Sequence, residues 1–204
     1  MSALEESYKK RYASVLVPIA QKLEAFIKES LNTLDRIDRV TTRPKSVDRF
    51  MQKAMKVEDG LNKYSDPIEQ ILDQVGARIV TYYPSDVPRV AKIIKKYFRA
   101  IEDQQLIPDG DSEFGYIGKH FILALPSDVL ADISVDNGVP EFFELQIKTL
   151  FQHAWAEAEH DLGYKPESPL SKLQKRKIAF TAAQAWGADQ IFEELFHEQT
   201  SVSE

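Results

Sequence analysis

The sequence predicts an α+β domain, a mostly antiparallel sheet of about five strands flanked by helices. Three observations predict it. Residues 142–149 alternate strictly, with Phe143, Leu145 and Ile147 set against Glu144, Gln146 and Lys148, which is the period of a strand with one apolar face. Asp136-Asn137-Gly138 is a strong turn signal between that strand and the apolar run 119–125, so the two read as hairpin partners. Long stretches near both ends instead repeat apolar residues every three or four positions, as amphipathic helices do.

The elements follow in order. Residues 4–32 read as one helix with Tyr8, Tyr12, Val15, Ile19, Leu23 and Phe26 on its apolar side and a kink at Pro18. Residues 35–44 read as a linker. Ser46 is a good N-cap for a second helix, and Asp48 suits its first turn. Residues 60–66 read as a loop and 67–72 as a short helical turn. The β-branched and aromatic run 76–83 is a strand. Pro84 and Pro88 open a helix through about Phe98, with Val90, Ile93, Ile94 and Tyr97 on its apolar side. Residues 100–105 read as a further strand, and 109–118 as a loop rich in glycine and acid. Pro126 ends the strand 119–125. A helix over 150–162 and a long one from about 168 to 199 complete the set. No internal repeat interrupts the pattern.

The bulk numbers bound the function. A chain of 204 residues suits one domain with a sizeable core. The net charge of −6 argues against nucleic-acid binding through the whole surface while leaving room for a local basic patch. There is no cysteine, which excludes disulfides, thiolate metal sites and a cysteine nucleophile. The first ten residues carry no apolar signal core, and no apolar run approaches the ~20 residues of a membrane helix. The expectation is a cytoplasmic protein.

Several constellations can carry chemistry. Arg49, Lys53 and Lys56 fall at i, i+4 and i+7 on the second predicted helix, just after Arg43, Lys45 and Ser46. Cations beside a helix N-terminus suit an oligophosphate, because the dipole and free amides add to the side-chain charge. The plainer reading is a solvated basic face. Arg78 lies in an otherwise apolar strand and needs a partner. A structural ion pair is one answer, and stacking on a base or clamping a phosphate is another. Asp73 and Glu144 together can hold a hard cation such as Mg²⁺ through carboxylate oxygens. Tyr116 stands near two glycines, Gly115 and Gly118, where it can stack on a base or simply anchor the loop. His153, Glu157 and His160 fall at helical spacing and offer a metal site, although histidines bonded to carboxylates are the simpler reading.

Taken in this order, from about Arg43 to Lys165, the segments resemble the synthetase domain of the RelA/SpoT family of alarmone synthetases. Arg43-x-Lys45-Ser46 with Lys53 and Lys56 is similar to the family's ATP-binding helix. Asp73-x-x-Gly76-x-Arg78 is similar to its strand entry, and Gly115-Tyr116 with His120 to its acceptor loop. The most specific block is Glu144-x-Gln146-Ile147-x-Thr149, followed by Trp155, Glu159-His160 and Tyr164-Lys165. In this length no hydrolase segment or regulatory segment is expected on either side, so the chain resembles a small, single-domain member.

The resemblance implies a nucleotidyltransferase-like fold and transfer of the β,γ-pyrophosphate of ATP to a ribose 3′-hydroxyl, making (p)ppGpp or (p)ppApp. Arg43 and Arg78 would sandwich the adenine, and Lys45, Ser46, Lys53 and Lys56 would hold the triphosphate. Asp73 and Glu144 would bind Mg²⁺, with Glu144 also activating the acceptor hydroxyl. Gln146 and Lys148 would line the same wall. Tyr116, Lys119 and His120 would bind the acceptor. A homo-oligomer or an antitoxin protein would be the macromolecular partner, using the long terminal helices.

The chain departs from the family pattern around the acceptor. The approach to the loop reads Asp109-Gly110-Asp111-Ser112-Glu113, and Ile117-Gly118 replaces the common Arg-Ser. Lys148 stands where an arginine is usual. Three carboxylates repel a 5′-polyphosphate. This favours a second acceptor, the tRNA 3′-CCA end, as in toxins of this family. Its basic footing would be Lys172, Lys175, Arg176 and Lys177, or Lys92, Lys95, Lys96 and Arg99. A catalytically silent nucleotide-binding module is a further reading, opposed by the presence of Asp73, Arg78, Tyr116 and Glu144 together.

Overall fold

The computed structural model describes residues 2–110, 113–133, 138–163 and 169–201. The predicted N-terminal helix is α1 (Ala3–Arg11), a π turn over Tyr12–Leu16, and α2 (Val17–Ser30). Proline has no N–H to give and crowds the preceding turn, so the π turn falls just ahead of Pro18. Tyr8, Val15, Leu16, Ile19, Leu23 and Ile27 are all fully buried on one side of this run.

The supposed linker is a strand, β1 (Ile37–Pro44). It lies at the sheet edge, pairs antiparallel with β4 (Val75–Thr81) and buries little beyond Val40, so its sequence carries no clean alternation. Between them lie α3 (Val47–Ala54), capped by Ser46 Oγ accepting from the Arg49 N–H at 3.4 Å, a small hairpin of β2 (Val57–Glu58) and β3 (Leu61–Asn62), and α4 (Pro67–Gln70). The hairpin, expected as loop, turns through Asp59 and Gly60 with φ of 50° and 78°, the double left-handed geometry of a tight two-residue turn.

After β4 come α5 (Asp86–Tyr97), β5 (Ala100–Leu106), β6 (Gly118–Ala124) and a short α6 (Ser127–Leu130). Then follow β7 (Phe142–Thr149), α7 (Leu150–Gly163) and α8 (Lys172–Ser201). The sheet order is β1-β4-β7-β6-β5. Only the β4–β7 pairing is parallel, so the expected mostly antiparallel five-stranded sheet is what forms. The Asp136-Asn137 turn lies outside the described residues.

One sheet face is the core. Phe143, Leu145 and Ile147 of β7, Ala77 and Ile79 of β4, and Phe121 and Leu123 of β6 bury against α2 and α5. The other face presents the partners in register: Gly76 opposite Glu144, Arg78 opposite Gln146, and His120 opposite Gln146 from the far side. No described helix is long and apolar enough to cross a membrane.

Helix α8 is fixed at one end of the sheet. Thr149 Oγ1 donates to Asp189 Oδ2 at 2.7 Å, the Ser85 N–H donates to Glu193 at 2.8 Å, and Phe196 stacks on Tyr83 at 4.6 Å. Its outer side leaves Leu173, Phe180, Ile191 and Leu195 exposed.

Candidate active site

A cleft of about 410 Å³ opens over the polar face where β1, β4 and β7 meet. Its lining includes Arg43, Lys45, Ser46, Arg49, Asp73, Arg78, Glu144 and Gln146. Residues spread over a hundred positions converge because the parallel β4–β7 pairing puts Gly76 beside Glu144 and Arg78 beside Gln146. Arg43, at the end of β1, stands opposite Gly76.

Asp73 sits just before β4 and pairs with both Lys45 and Lys53. Lys45 Nζ and Lys53 Nζ each lie 2.9 Å from one of its carboxylate oxygens. Burial alone would raise its pKa, but the two ammonium groups outweigh that and hold the carboxyl below its ordinary value. Lys45 is itself steered from the N-terminal helix. The Tyr8 hydroxyl donates to the Lys45 carbonyl at 2.8 Å, and the Tyr8 ring stacks on Phe50 of α3 at 3.6 Å. Sequence reasoning gave Tyr8 only a core role, and its periodicity held no signal for this one.

Arg78 has two partners on α7. It donates to Glu157 at 2.5 Å and to His153 Nδ1 at 3.3 Å. His153 and Glu157, two of the three residues at metal-ligand spacing, thus hold an arginine, in keeping with the simpler structural reading of that helix. Among the described residues no group of three or more such ligands is placed to hold a metal. Arg43 stands close to Arg78 and Arg49, and its pKa is lowered by burial first and then by those two cations. Three guanidinium groups crowded into one cleft favour an anion there.

Glu144 faces the same cleft. His120 Nδ1 lies 3.3 Å from its Oε1, and Gln146 Nε2 donates to that oxygen at 3.2 Å. Burial pushes the carboxyl up, yet these hydrogen bonds and the His120 ring bring it below its ordinary value. It is therefore ionised near neutral pH. Beyond it, the Tyr116 hydroxyl is 2.6 Å from His120 Nε2. One tautomer satisfies both contacts, with Nδ1–H donating to Glu144 and Nε2 accepting from the phenol. Lys148 is almost wholly buried, with its ammonium 4.4 Å from the Tyr116 ring centre. Burial, then the nearby Arg78, depress its pKa to about 8.

Two predicted site residues stand elsewhere. Lys119 pairs opposite Ile147, so it projects to the face away from Glu144. There it pairs with Asp103, as does Lys95, and with Lys92 they line a separate cavity of about 410 Å³. Lys56 lies two residues past the end of α3, exposed, and does not continue the face of Arg49 and Lys53. Lys172, Lys175, Arg176 and Lys177 are exposed on the first turns of α8. Tyr164 and Lys165 lie outside the described residues.

The comparisons with known proteins agree with this geometry. The family described as "Region found in RelA / SpoT proteins" matches residues 42–169. The chain is 29% identical over 186 residues to GTP pyrophosphokinase YjbM of Bacillus subtilis (strain 168), covering 83% of each protein. It is 25% identical over 141 residues to GTP pyrophosphokinase YwaC of the same organism, covering 67% of this chain and 62% of that one. In fold it matches small alarmone synthetase 1 from Bacillus subtilis with a TM-score of 0.74 at 24% identity, covering 91% of this chain and 96% of that one. Every residue lining the cleft except Thr41 falls within the matched region, and the chain belongs to the RelA/SpoT family.

Proposed function

We propose that the protein is an ATP-dependent pyrophosphokinase that transfers the β,γ-pyrophosphate of ATP to the ribose 3′-hydroxyl of a nucleotide. The observation that carries this is a single cleft in which Asp73 and Glu144 face Arg43, Lys45, Arg49 and Arg78. The relatives' name, GTP pyrophosphokinase, makes a guanosine nucleotide the first acceptor to test.

In this reading Arg43 and Arg78 take the adenine, with Glu157 and His153 holding Arg78 at the right height. Lys45, Lys53, Arg49 and the Ser46 end of α3 take the triphosphate. The acceptor's 3′-oxygen attacks the β-phosphorus, forming the new P–O bond. The bond from that phosphorus to the oxygen shared with the α-phosphate breaks, and AMP leaves. Glu144, ionised and fixed by His120 and Gln146, accepts the hydroxyl proton. Tyr116 stacks on the acceptor base, and Lys148 offers its ammonium to an acceptor phosphate.

Asp73 and Glu144 also suit Mg²⁺. Both are hard oxygen donors on one cleft, and Mg²⁺ typically takes only one or two carboxylates beside substrate phosphates. When bound it would neutralise phosphate charge along the donor. The exposed Leu173, Phe180, Ile191 and Leu195 of α8 suit contact with a second copy of the chain, an antitoxin protein being the alternative.

Incubation with ATP labelled on its γ-phosphate and GDP, GTP, an adenosine nucleotide or deacylated tRNA tests the reading. Label in a guanosine product together with released AMP supports it. Label only in tRNA moves the acceptor to the CCA end. Intact ATP with every acceptor, despite measurable ATP binding, identifies a silent nucleotide-binding module.

A further inference from the structure

We propose that Gly118 sets the affinity for the acceptor, by allowing Tyr116 to fold onto the two groups the acceptor must use. This rests on the pyrophosphokinase reading of the cleft.

Tyr116 folds onto His120 and Lys148. Its hydroxyl meets His120 Nε2 at 2.6 Å, and its ring lies over the Lys148 ammonium, 4.4 Å from the ring centre. The ring also meets the His120 imidazole edge-on, 5.5 Å between centres. A sugar hydroxyl of the acceptor would use that imidazole nitrogen, and an acceptor phosphate would use that ammonium. The tucked tyrosine takes both before the acceptor arrives.

Gly118 is what makes the tuck possible. A Cβ built on Gly118 would stand 2.9 Å from the Tyr116 hydroxyl oxygen and 3.2 Å from two ring carbons. Real side chains do not come so close, so any other residue at 118 displaces the ring from His120. The backbone at 118 is not in the left-handed region, and the residue begins β6 opposite Leu106. Alanine therefore fits the main chain there without strain, and only the tyrosine has to move. Because the displaced atoms are the end of a flexible side chain, the protein accommodates the change by untucking it.

A conformation that occupies its own subsite lowers apparent affinity by the fraction of molecules able to bind. A net preference for the tuck on the scale of one protein hydrogen bond corresponds to a tax of about three- to tenfold. The test is Gly118→Ala in the full chain, with AMP release followed as GDP is varied at saturating ATP. The expected result is a KM for GDP lowered about three- to tenfold, with the KM for ATP unchanged within about twofold.

A second measurement needs no turnover. The His120 imidazole signal in NMR of the nucleotide-free protein should move in Gly118→Ala toward where Tyr116→Ala puts it, since both take the phenol and its ring off the imidazole. A GDP KM that is unchanged or raised overturns the proposal, as does a His120 signal that Gly118→Ala leaves at its wild-type position. If no acceptor yields AMP, the pyrophosphokinase reading fails, and the imidazole signal alone decides whether Gly118 controls the tuck.

Discussion

In the proposed reading, four of the five donor-side cations stand on regular structure, whereas the acceptor side adds to its strand residues His120 and Lys148 one tyrosine from a loop. Arg43 lies near the end of β1, Arg49 and Lys53 on α3 and Arg78 on β4, with Asp73 anchoring Lys45 and Lys53 and Glu157 anchoring Arg78. Tyr116 instead sits in the segment between β5 and β6, held by side-chain contacts to His120 and Lys148. Charge divides the same way. The donor side gathers five cations around Asp73 and Glu144, while the acceptor wall offers a single ammonium, already beneath a ring. If these roles hold, the difference teaches that donor binding is built in by the fold. Acceptor binding is set by a few adjustable contacts, so it is where members of one family can diverge without losing the chemistry.

Substitutions on the two sides should therefore separate. Glu144→Gln removes the proton acceptor from the shared wall and should lower kcat by about 10²–10⁴-fold with ATP binding retained. Pre-steady-state AMP release with ATP binding measured in parallel checks this. On the donor side, Arg78→Ala should weaken ATP binding by roughly 3- to 30-fold through the lost stacking cation, leaving the acceptor KM near wild type. Tyr116→Ala should do the reverse, since a base–aromatic stack is worth about 1–3 kcal/mol. Equal effects of both on both substrates would erase the comparison.

Two smaller effects come from groups buried at a cost. Lys148 has a folded pKa of about 8, below the ordinary lysine value. Below pH 8 it is charged in both folded and unfolded chains, and the penalty for burying it is present in full. As pH rises from 8 toward the unfolded value, the folded protein loses the proton first, and stability increases. Lys148→Met should stabilise the fold by about 1–3 kcal/mol at pH 7 and flatten that rise, while raising the KM of a phosphate-bearing acceptor. In the wild type the same KM should climb above about pH 8 as the ammonium is lost.

Asp189 is the mirror case. Burial raises its pKa to about 6 despite hydrogen bonds from Thr149 and Gln152, and its Oδ1 is buried without a hydrogen-bond partner. Below the ordinary aspartate range it is protonated in both states. As pH rises through 6 the folded protein must carry the buried charge, and stability falls. Asp189→Asn should gain about 1 kcal/mol at pH 7 and nothing at pH 4, measured by denaturant unfolding at the two pH values.

The polar wall of the cleft was legible because a strand with one buried face writes its alternation into the sequence, as Glu144, Gln146 and Lys148 do against Phe143, Leu145 and Ile147. Arg78 was legible as a charge that an apolar strand must satisfy. What failed did so for local reasons. β1 is an edge strand with little beyond Val40 to bury, so it reads as linker. Lys119 and His120 are adjacent, and only the pairing to β7 decides which of them faces Glu144. Lys56 has the spacing of a helical face, but α3 ends at Ala54 before reaching it. Tyr8 contributes through a main-chain carbonyl, a contact that no residue pattern encodes.

The most direct test of the central claim asks which bond of ATP breaks. With wild-type protein, GDP and ATP labelled at the γ-position, the account predicts AMP and a labelled guanosine product in equal amounts, both formed about 10²–10⁴-fold more slowly with Glu144→Gln. Formation of ADP in place of AMP would mean attack at the γ-phosphorus, and it would contradict the account.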